Sequence, residues 1–427
     1  MIEVGFTMAV MLGLMFLRVP VFLAIGLAAG AFALAYAPIL RGDVLAQTFL
    51  RGLDNQAFSA IAYFFAAGAI MNAGGMSTRL LELARALIAH VRGGLAHANI
   101  TASVIFAGIS GSAVADAAAV GSVMIPAMEK DGYSPAYAAA VTASSATIGL
   151  MIPPSIPMVV FALFTPADVT DLFIAGILPG LLMGLFLLVA SILLALRRGY
   201  AAHEWQGLGR IWRALRSSFL ALMMPLLVIA GMLTGVATVN EIGALAAIYA
   251  MLVSMLVYRD VPVAELVQAL AVAARDAAKI LIIIAASGAF VWISARVGLS
   301  LEMAAGITDL ALGPTALLAL IAVLLLLLGM VLEPVTLLVV IAPVIAPVAI
   351  LAGVDVVQLG VVFILASAIG LVTPPVGVLL FVTSAQARVP LTLVVRESLV
   401  FLAALLLLLA AVVAWPMLTL GLGSLLG

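Results

Sequence analysis

An all-α polytopic membrane protein is the fold class this sequence predicts: about ten transmembrane helices plus two re-entrant hairpins in two inverted-topology repeats. Three observations predict it. The 427-residue chain is 66% hydrophobic and 9% charged, with a mean hydropathy of +1.37. The chain repeats itself at a constant spacing. Its apolar runs are interrupted at four places by Gly, Pro and small polar residues.

Composition excludes most other classes. A soluble domain is nearer one quarter charged, so a soluble enzyme is ruled out. There is no Cys, hence no disulfide, thiolate metal site or thiol catalysis, and the three His (His90, His97, His203) leave little room for a metal centre. A net charge of −1 with scattered basic residues argues against nucleic acid. Met1–Leu17 carries Glu3 and no basic leader, and Arg18-Val19-Pro20 runs straight into another apolar stretch. It reads as the first membrane helix and not as a signal peptide.

Ile148-Gly149-Leu150-Met151-Ile152-Pro153-Pro154 reappears as Ile369-Gly370-Leu371-Val372-Thr373-Pro374-Pro375, 221 positions later, since Gly149 pairs with Gly370. The same spacing pairs Gly108 with Gly329, Val123 with Val344, Pro126 with Pro347 and Gly132 with Gly353, without a gap. Matches of Ala or Leu between apolar segments are cheap; Gly and Pro pairs at one spacing are not. Residues 1–196 form the first copy, 197–217 a linker and 218–427 the second copy.

In the first copy, helices are expected at Val4–Leu17 and Val21–Pro38, then a polar connector and a helix at Ala57–Ala73. Ser77–Arg92 is amphipathic, with Arg79, Glu82, Arg85 and Arg92 interrupting an apolar face, and is expected to lie in the interface plane. Leu95–Met128 is apolar but broken at Gly108–Ser112, which leaves two arms of about 15 residues, short for a span. It reads as a re-entrant hairpin. Pro135–Phe164 reads as one span interrupted at Pro153-Pro154, and Leu172–Leu196 as the last helix. The linker holds five Arg and reads as solvated, with Trp205 and Trp212 at the interface.

Five crossings per copy place the second copy upside down. Two spans for each hairpin would give seven and the same parity. With the linker in the cytoplasm and both termini outside, the cytoplasmic side receives Arg18, Arg79, Arg85, Arg92, Lys130, Arg197, Arg198, Arg210, Arg213, Arg216, Arg259, Arg275, Lys279, Arg388 and Arg396. The outside receives only Arg41, Arg51 and Arg296, as the positive-inside rule requires.

Inverted repeats with interrupted helices are the architecture of secondary transporters. Unpaired backbone groups are tolerated at membrane depth only where protein or a cavity surrounds them. The four breaks are Gly108–Ser112, Gly149–Pro154, Gly329–Pro334 and Gly370–Pro375. Pro removes an amide donor, and Gly permits a turn or a close approach. The freed carbonyls suit a hard cation such as Na⁺, and the helix N-termini suit an anion.

The polar residues beside the breaks are Ser110, Ser112, Thr142, Ser144, Ser145, Thr147 and Ser155, then Thr336 and Thr373. Such hydroxyls usually bond their own helix; clustering beside a break makes Ser112, Ser144, Ser145 and Ser155 candidates for the substrate region. Asp116 and Glu333 join them as the acids near the hairpin tips. Each is either a cation ligand or proton carrier, or a group that stabilises its hairpin by hydrogen bonds or ionises close to water. Gly108-Ile109-Ser110-Gly111 also fits the G-x-S-G of an intramembrane serine hydrolase. That nucleophile needs a base, and no His lies in a later membrane helix. No nucleotide-binding loop occurs.

Gly111-Ser112-Ala113-Val114-Ala115-Asp116-Ala117-Ala118-Ala119-Val120-Gly121-Ser122, leading into Ile125-Pro126-Ala127-Met128, closely resembles the large permease subunit of TRAP (tripartite ATP-independent periplasmic) transporters. So do Ala139–Ser145, Ile152-Pro153-Pro154-Ser155-Ile156-Pro157-Met158 and, in the second half, Thr373-Pro374-Pro375-Val376-Gly377. The resemblance spans essentially the whole chain. It implies an elevator-type member of the ion-transporter superfamily in a bacterial or archaeal inner membrane. It also implies Na⁺ coupling through at least two sites, a periplasmic binding protein that delivers an organic acid such as a C4-dicarboxylate, and a separate small four-helix membrane subunit. By resemblance, one Na⁺ site uses Ser110, Gly149, Ile152 and Pro154, and the other Gly329, Gly370, Thr373 and Val376. Ala113 departs from the pattern, since many relatives carry a second Ser there. A stand-alone Na⁺/carboxylate symporter of the same superfamily is the nearest alternative, and a channel a more distant one.

Overall fold

A computed structural model describes the chain apart from residues 1, 18, 37–41, 54–56, 201, 203, 204, 206, 260, 299–311 and 427. Arg18, Arg41 and His203 therefore lie outside the described residues. So does most of the second-copy counterpart of Ser77–Arg92.

The first copy contains α1 (Ile2–Phe16), α2 (Val21–Tyr36), α3 (Gly42–Leu53), α4 (Ala57–Ala73), α5 (Met76–Ile88), α6 (Gly94–Ser110) and α7 (Ala113–Lys130). It continues with α8 (Pro135–Ala146), a tight turn of helix at Thr147–Leu150, α9 (Ile156–Phe164) and α10 (Val169–Arg198). The second contains α11 (Leu208–Leu233), α12 (Val239–Leu252) with a π-helical extension Val253–Tyr258, α13 (Val263–Val297), α14 (Pro314–Gly329) and α15 (Pro334–Leu351). It ends with α16 (Val356–Gly370), α17 (Val378–Ala387), α18 (Leu391–Ala414) and α19 (Met417–Leu426). No strand occurs among the described residues.

The spacing of 221 extends from sequence to backbone. It carries α7 onto α15 at both ends and the start of α8 onto the start of α16. Ser112 caps α7 by accepting from the Ala115 amide, and Glu333, 221 residues on, caps α15 by accepting from the Thr336 amide. Ser134 and Asp355 cap α8 and α16 in the same way. Gly132 (φ 85°) and Gly353 (φ 86°) make the same left-handed turn, and Pro153-Pro154 and Pro374-Pro375 are both cis.

The two copies interlock. α9 packs against α15, and α17 packs against α7 and α8. Every side chain of α8 after Pro135 is buried, and so is every one of α16 from Gln358 onward. A helix apolar all round belongs in such a core. Leu181, Leu185, Val189 and Leu193 of α10 and Leu226 and Leu227 of α11 are exposed, forming an apolar outer surface suited to lipid.

Two expectations need correction, the connector and the linker. The polar connector is helical: Gly42–Leu53 has a strongly one-sided apolar pattern and packs as α3 against α13. Its counterpart in the second copy is fused with the next helix, so α13 alone covers what α3 and α4 cover in the first. Half of the expected linker is also helix, because α11 begins at Leu208 and carries Arg210, Arg213 and Arg216 in its first turns. The apolar face of α5 (Leu80, Leu81, Leu83, Ala84) is buried against α6 and α11, so protein covers it. An amphipathic pattern reports that one face is covered, not by what.

α4 and α5 meet at a bend of 68°. Gly75 takes the left-handed conformation there (φ 72°), and Gly74 sits under the buried Ser254 of the π-helical segment. Arg79 donates from Nη1 to the Gly75 carbonyl at 3.1 Å, and its guanidinium lies 3.8 Å from the centre of the Tyr258 ring. A methyl group on Gly74 would meet Ser254 Oγ, with Ser254 Cβ at 2.7 Å and the Ile70 carbonyl at 2.8 Å. Gly74→Ala should therefore destabilise the protein by ~1–3 kcal/mol, read as a lowered thermal midpoint in detergent. An unchanged midpoint would show that the bend is loosely packed.

Candidate functional site

Each hairpin tip lies against the break of its own copy. α6 ends at Ser110, and Gly111 (φ 60°) turns the chain into the Ser112 cap of α7. A Cβ on Gly111 would lie 3.2 Å from the Pro154 carbonyl oxygen, and one on Gly108 would lie 3.4 Å from that of Pro153. Among the described residues, no hydrogen bond reaches the carbonyl oxygens of Ile152, Pro153 or Pro154. Gly149 faces Asp116, whose carboxylate fills the space a side chain would need, with Cγ 3.2 Å from the ideal Cβ position. The structure thus brings Gly149 and Pro154 to the first hairpin, while the Ile152 side chain packs at Gly180 of α10. The Ser110 side chain lies outside the described part.

The second pair is built alike. Gly329 and Gly370 pack backbone to backbone: a Cβ on Gly370 would lie 2.7 Å from both Cα and the carbonyl oxygen of Gly329. The Gly377 amide donates to the Met330 carbonyl at 3.4 Å, tying the tip to the residues after Thr373-Pro374-Pro375-Val376. Thr373 Oγ1 donates to the Ile369 carbonyl at 2.7 Å, so its hydroxyl closes the end of α16. The first break also packs against α16, which brings the two breaks into one core.

The serine candidates divide. Ser155 is fully buried and caps α9; its hydroxyl donates to the Leu150 carbonyl at 2.6 Å and receives the Met158 amide, bridging the break. Ser145 accepts from Ser103 of α6 at 2.9 Å, so its hydroxyl joins α8 to α6. Ser144 is buried, and its hydroxyl has no hydrogen-bond partner among the described residues, the better candidate of the pair for a ligand. Ser112 and Glu333 are the caps described above. Glu333 is exposed at its tip, so its observed role is to hold the start of α15.

Asp116 is 1% exposed and reaches a cavity of about 180 Å³ in front of the first tip. Ser112, Asn72 of α4, Phe106, and Val272 and Asp276 of α13 also line it. Asn72 and Asp276 were missed in sequence, although a polar group in an apolar helix is a signal in itself. Gln386 was missed too: from α17 it donates to the Ala118 carbonyl at 3.1 Å, joining the second copy to the first hairpin. Asn99 was a fourth omission, donating to Thr142 Oγ1 at 2.7 Å between α6 and α8. No group of three or more His, Cys, Asp or Glu is placed to hold a metal ion among the described residues.

Comparison with known proteins gives the family and the fold. Residues 8–418 match the family described as tripartite ATP-independent periplasmic transporter, DctM component. The chain is 36% identical over 368 residues to the C4-dicarboxylate TRAP transporter large permease protein DctM of Pseudomonas aeruginosa, covering 86% of each. It is 34% identical over 412 residues to the sialic acid TRAP transporter large permease protein SiaM of Vibrio cholerae, covering 96% of each. It is also 34% identical over 359 residues to the 2,3-diketo-L-gulonate TRAP transporter large permease protein YiaN of Escherichia coli, covering 84% of each. Among solved structures, the Alcanivorax borkumensis YdaH transporter superposes with a TM-score of 0.67 at 17% identity, over 91% of each chain, which shows a shared fold.

Proposed function

The chain belongs to the DctM family of tripartite ATP-independent periplasmic transporters, and from that premise we propose that it is the large membrane subunit of a Na⁺-coupled importer of an organic acid. The relatives' named substrates, a C4-dicarboxylate, sialic acid and 2,3-diketo-L-gulonate, are all carboxylates. The observation that carries the reading is the pair of equivalent tip–break contacts, Gly111 against Pro154 and Gly329 against Gly370. At the first, the Ile152, Pro153 and Pro154 carbonyls have no hydrogen-bond partner among the described residues, and transporters use such freed carbonyls at helix breaks to bind ions at mid-depth.

The two Na⁺ sites then use the carbonyls around Ser110, Gly149, Ile152 and Pro154, and around Gly329, Gly370, Thr373 and Val376. The acid lies between the tips, where the N-termini of α7, α9 and α15 favour negative charge. Because each tip lies against the middle of an interrupted helix, each hairpin enters and leaves on one side. The copies are inverted, both termini face the periplasm and Arg197–Arg216 face the cytoplasm of a bacterial inner membrane. The hairpins and interrupted helices move together against a frame of outer helices. A small membrane subunit braces the frame, and a periplasmic protein delivers the substrate.

Uptake into proteoliposomes tests this. With both membrane subunits, the binding protein and an inward Na⁺ gradient, a radiolabelled carboxylate accumulates; replacing Na⁺ by K⁺ outside abolishes accumulation. Accumulation that ignores the Na⁺ gradient refutes the coupling. Full uptake by the large subunit alone assigns the chain to the self-sufficient symporters instead.

A further inference from the structure

Outside the transport site, one corner of the molecule holds a guanidinium with an unmet need. Arg85 of α5 has its Nε and Nη2 buried without a hydrogen-bond partner among the described residues. Leaving such donors unpaired costs ~1–3 kcal/mol, more for a charged group. Among the described residues, Glu82, one turn away on the exposed side of α5, attracts the charge of Arg85, and Arg210 of α11 repels it.

The corner is basic and aromatic at once. The side chains of Leu83, Ala86, Ile211, Ala214 and Leu215 pack α5 onto the first turns of α11. Arg210, Arg213 and Arg216 follow one another at three-residue intervals there, and Arg213 and Arg216 are exposed. Trp212 is 67% exposed, and Trp205 packs edge-on against His90 at 4.5 Å. Exposed Trp beside Arg at the end of an apolar helix is the pattern of the headgroup level of a bilayer. Clustered basic residues there attract anionic lipid.

We propose that Arg85, with Arg210 and Arg213, binds the phosphate of an anionic phospholipid of the cytoplasmic leaflet at the α5–α11 corner. A phosphodiester presents two acceptor oxygens to the planar fork of an arginine, and its negative charge is drawn to a basic corner. α5 leads directly into hairpin arm α6, so the lipid would hold the support of the first hairpin. The leaflet follows from the orientation proposed above; the binding site does not depend on it.

The test uses the full chain in nanodiscs of phosphatidylcholine, with and without the small membrane subunit. Native mass spectrometry counts retained phosphatidylglycerol against phosphatidylcholine. The wild type retains phosphatidylglycerol preferentially. Arg85→Gln and the exposed pair Arg213→Gln/Arg216→Gln weaken that preference by about fivefold per arginine that contacts the headgroup, whereas Arg388→Gln does not. The exposed pair keeps the test decisive if Arg85→Gln fails to fold. No preference in the wild type, or one indifferent to these arginines, overturns the proposal. So does a preference that vanishes when the small subunit is present, which would assign the corner to that subunit. Because binding is read without transport, failure here leaves the transport reading standing.

Discussion

Gly370→Ala should cripple transport and lower stability together. The added methyl meets the backbone of Gly329, with its Cα and carbonyl oxygen both 2.7 Å away. Backbone cannot rotate aside as a side-chain tip can, so the second hairpin must shift off its break. Overpacking of this kind costs ~3 kcal/mol or more. The displaced groups are those proposed to bind the second Na⁺. A loss of only ~1.4 kcal/mol from ion binding lowers affinity about tenfold, so uptake at sub-saturating Na⁺ should fall by at least that factor. Uptake and thermal midpoint measured on the same preparation check both effects. A variant with normal Na⁺ dependence would remove the second tip–break contact from the mechanism.

Gly149→Ala gives a different outcome at the equivalent position. Here the obstructing group is the carboxylate of Asp116, at the end of a short side chain, with Cγ 3.2 Å from the new methyl. The carboxylate can turn, but from a position only 1% exposed it has few places to go. The expected cost is ~1–2 kcal/mol. Gly149→Ala combined with Asp116→Ala puts the methyl into the space the carboxylate leaves. The double variant should then be more stable than the sum of the two single effects, by ~0.5–3 kcal/mol. Additive midpoints across the four proteins would show that Asp116 does not occupy the Gly149 site. Neighbouring side chains offer no such rescue at Gly370, because what obstructs it is main chain. If Asp116 also serves the ion or substrate, the double variant recovers stability without recovering uptake, which separates its packing role from its chemistry.

The hairpins, both breaks and the spacing of 221 were legible because they rest on Gly and Pro, whose backbone constraints are local. The serine candidates were only half legible. Ser144 and Ser145 are neighbours on one helix, yet Ser145 bonds to Ser103 and Ser144 has no such partner. Which of them turns toward a neighbouring helix depends on how the helices are packed. Glu333 and Asp116 look alike as acids near hairpin tips. One caps α15 at an exposed tip, and the other is buried over Gly149.

The sequence by itself determined that the chain is a membrane protein, that it is built twice, and where its helices are interrupted. Apolar composition and backbone-breaking residues act through solvent and covalent geometry, and both are written locally. Only the tertiary structure decided that α9 lies on α15 and α17 on α7, that α5 is covered by protein, and that Asn72, Asp276 and Gln386 reach the first hairpin. Those contacts join residues up to 268 positions apart. They follow from the shapes of two interlocked copies, and pairings of that range leave no periodicity in the chain to be read.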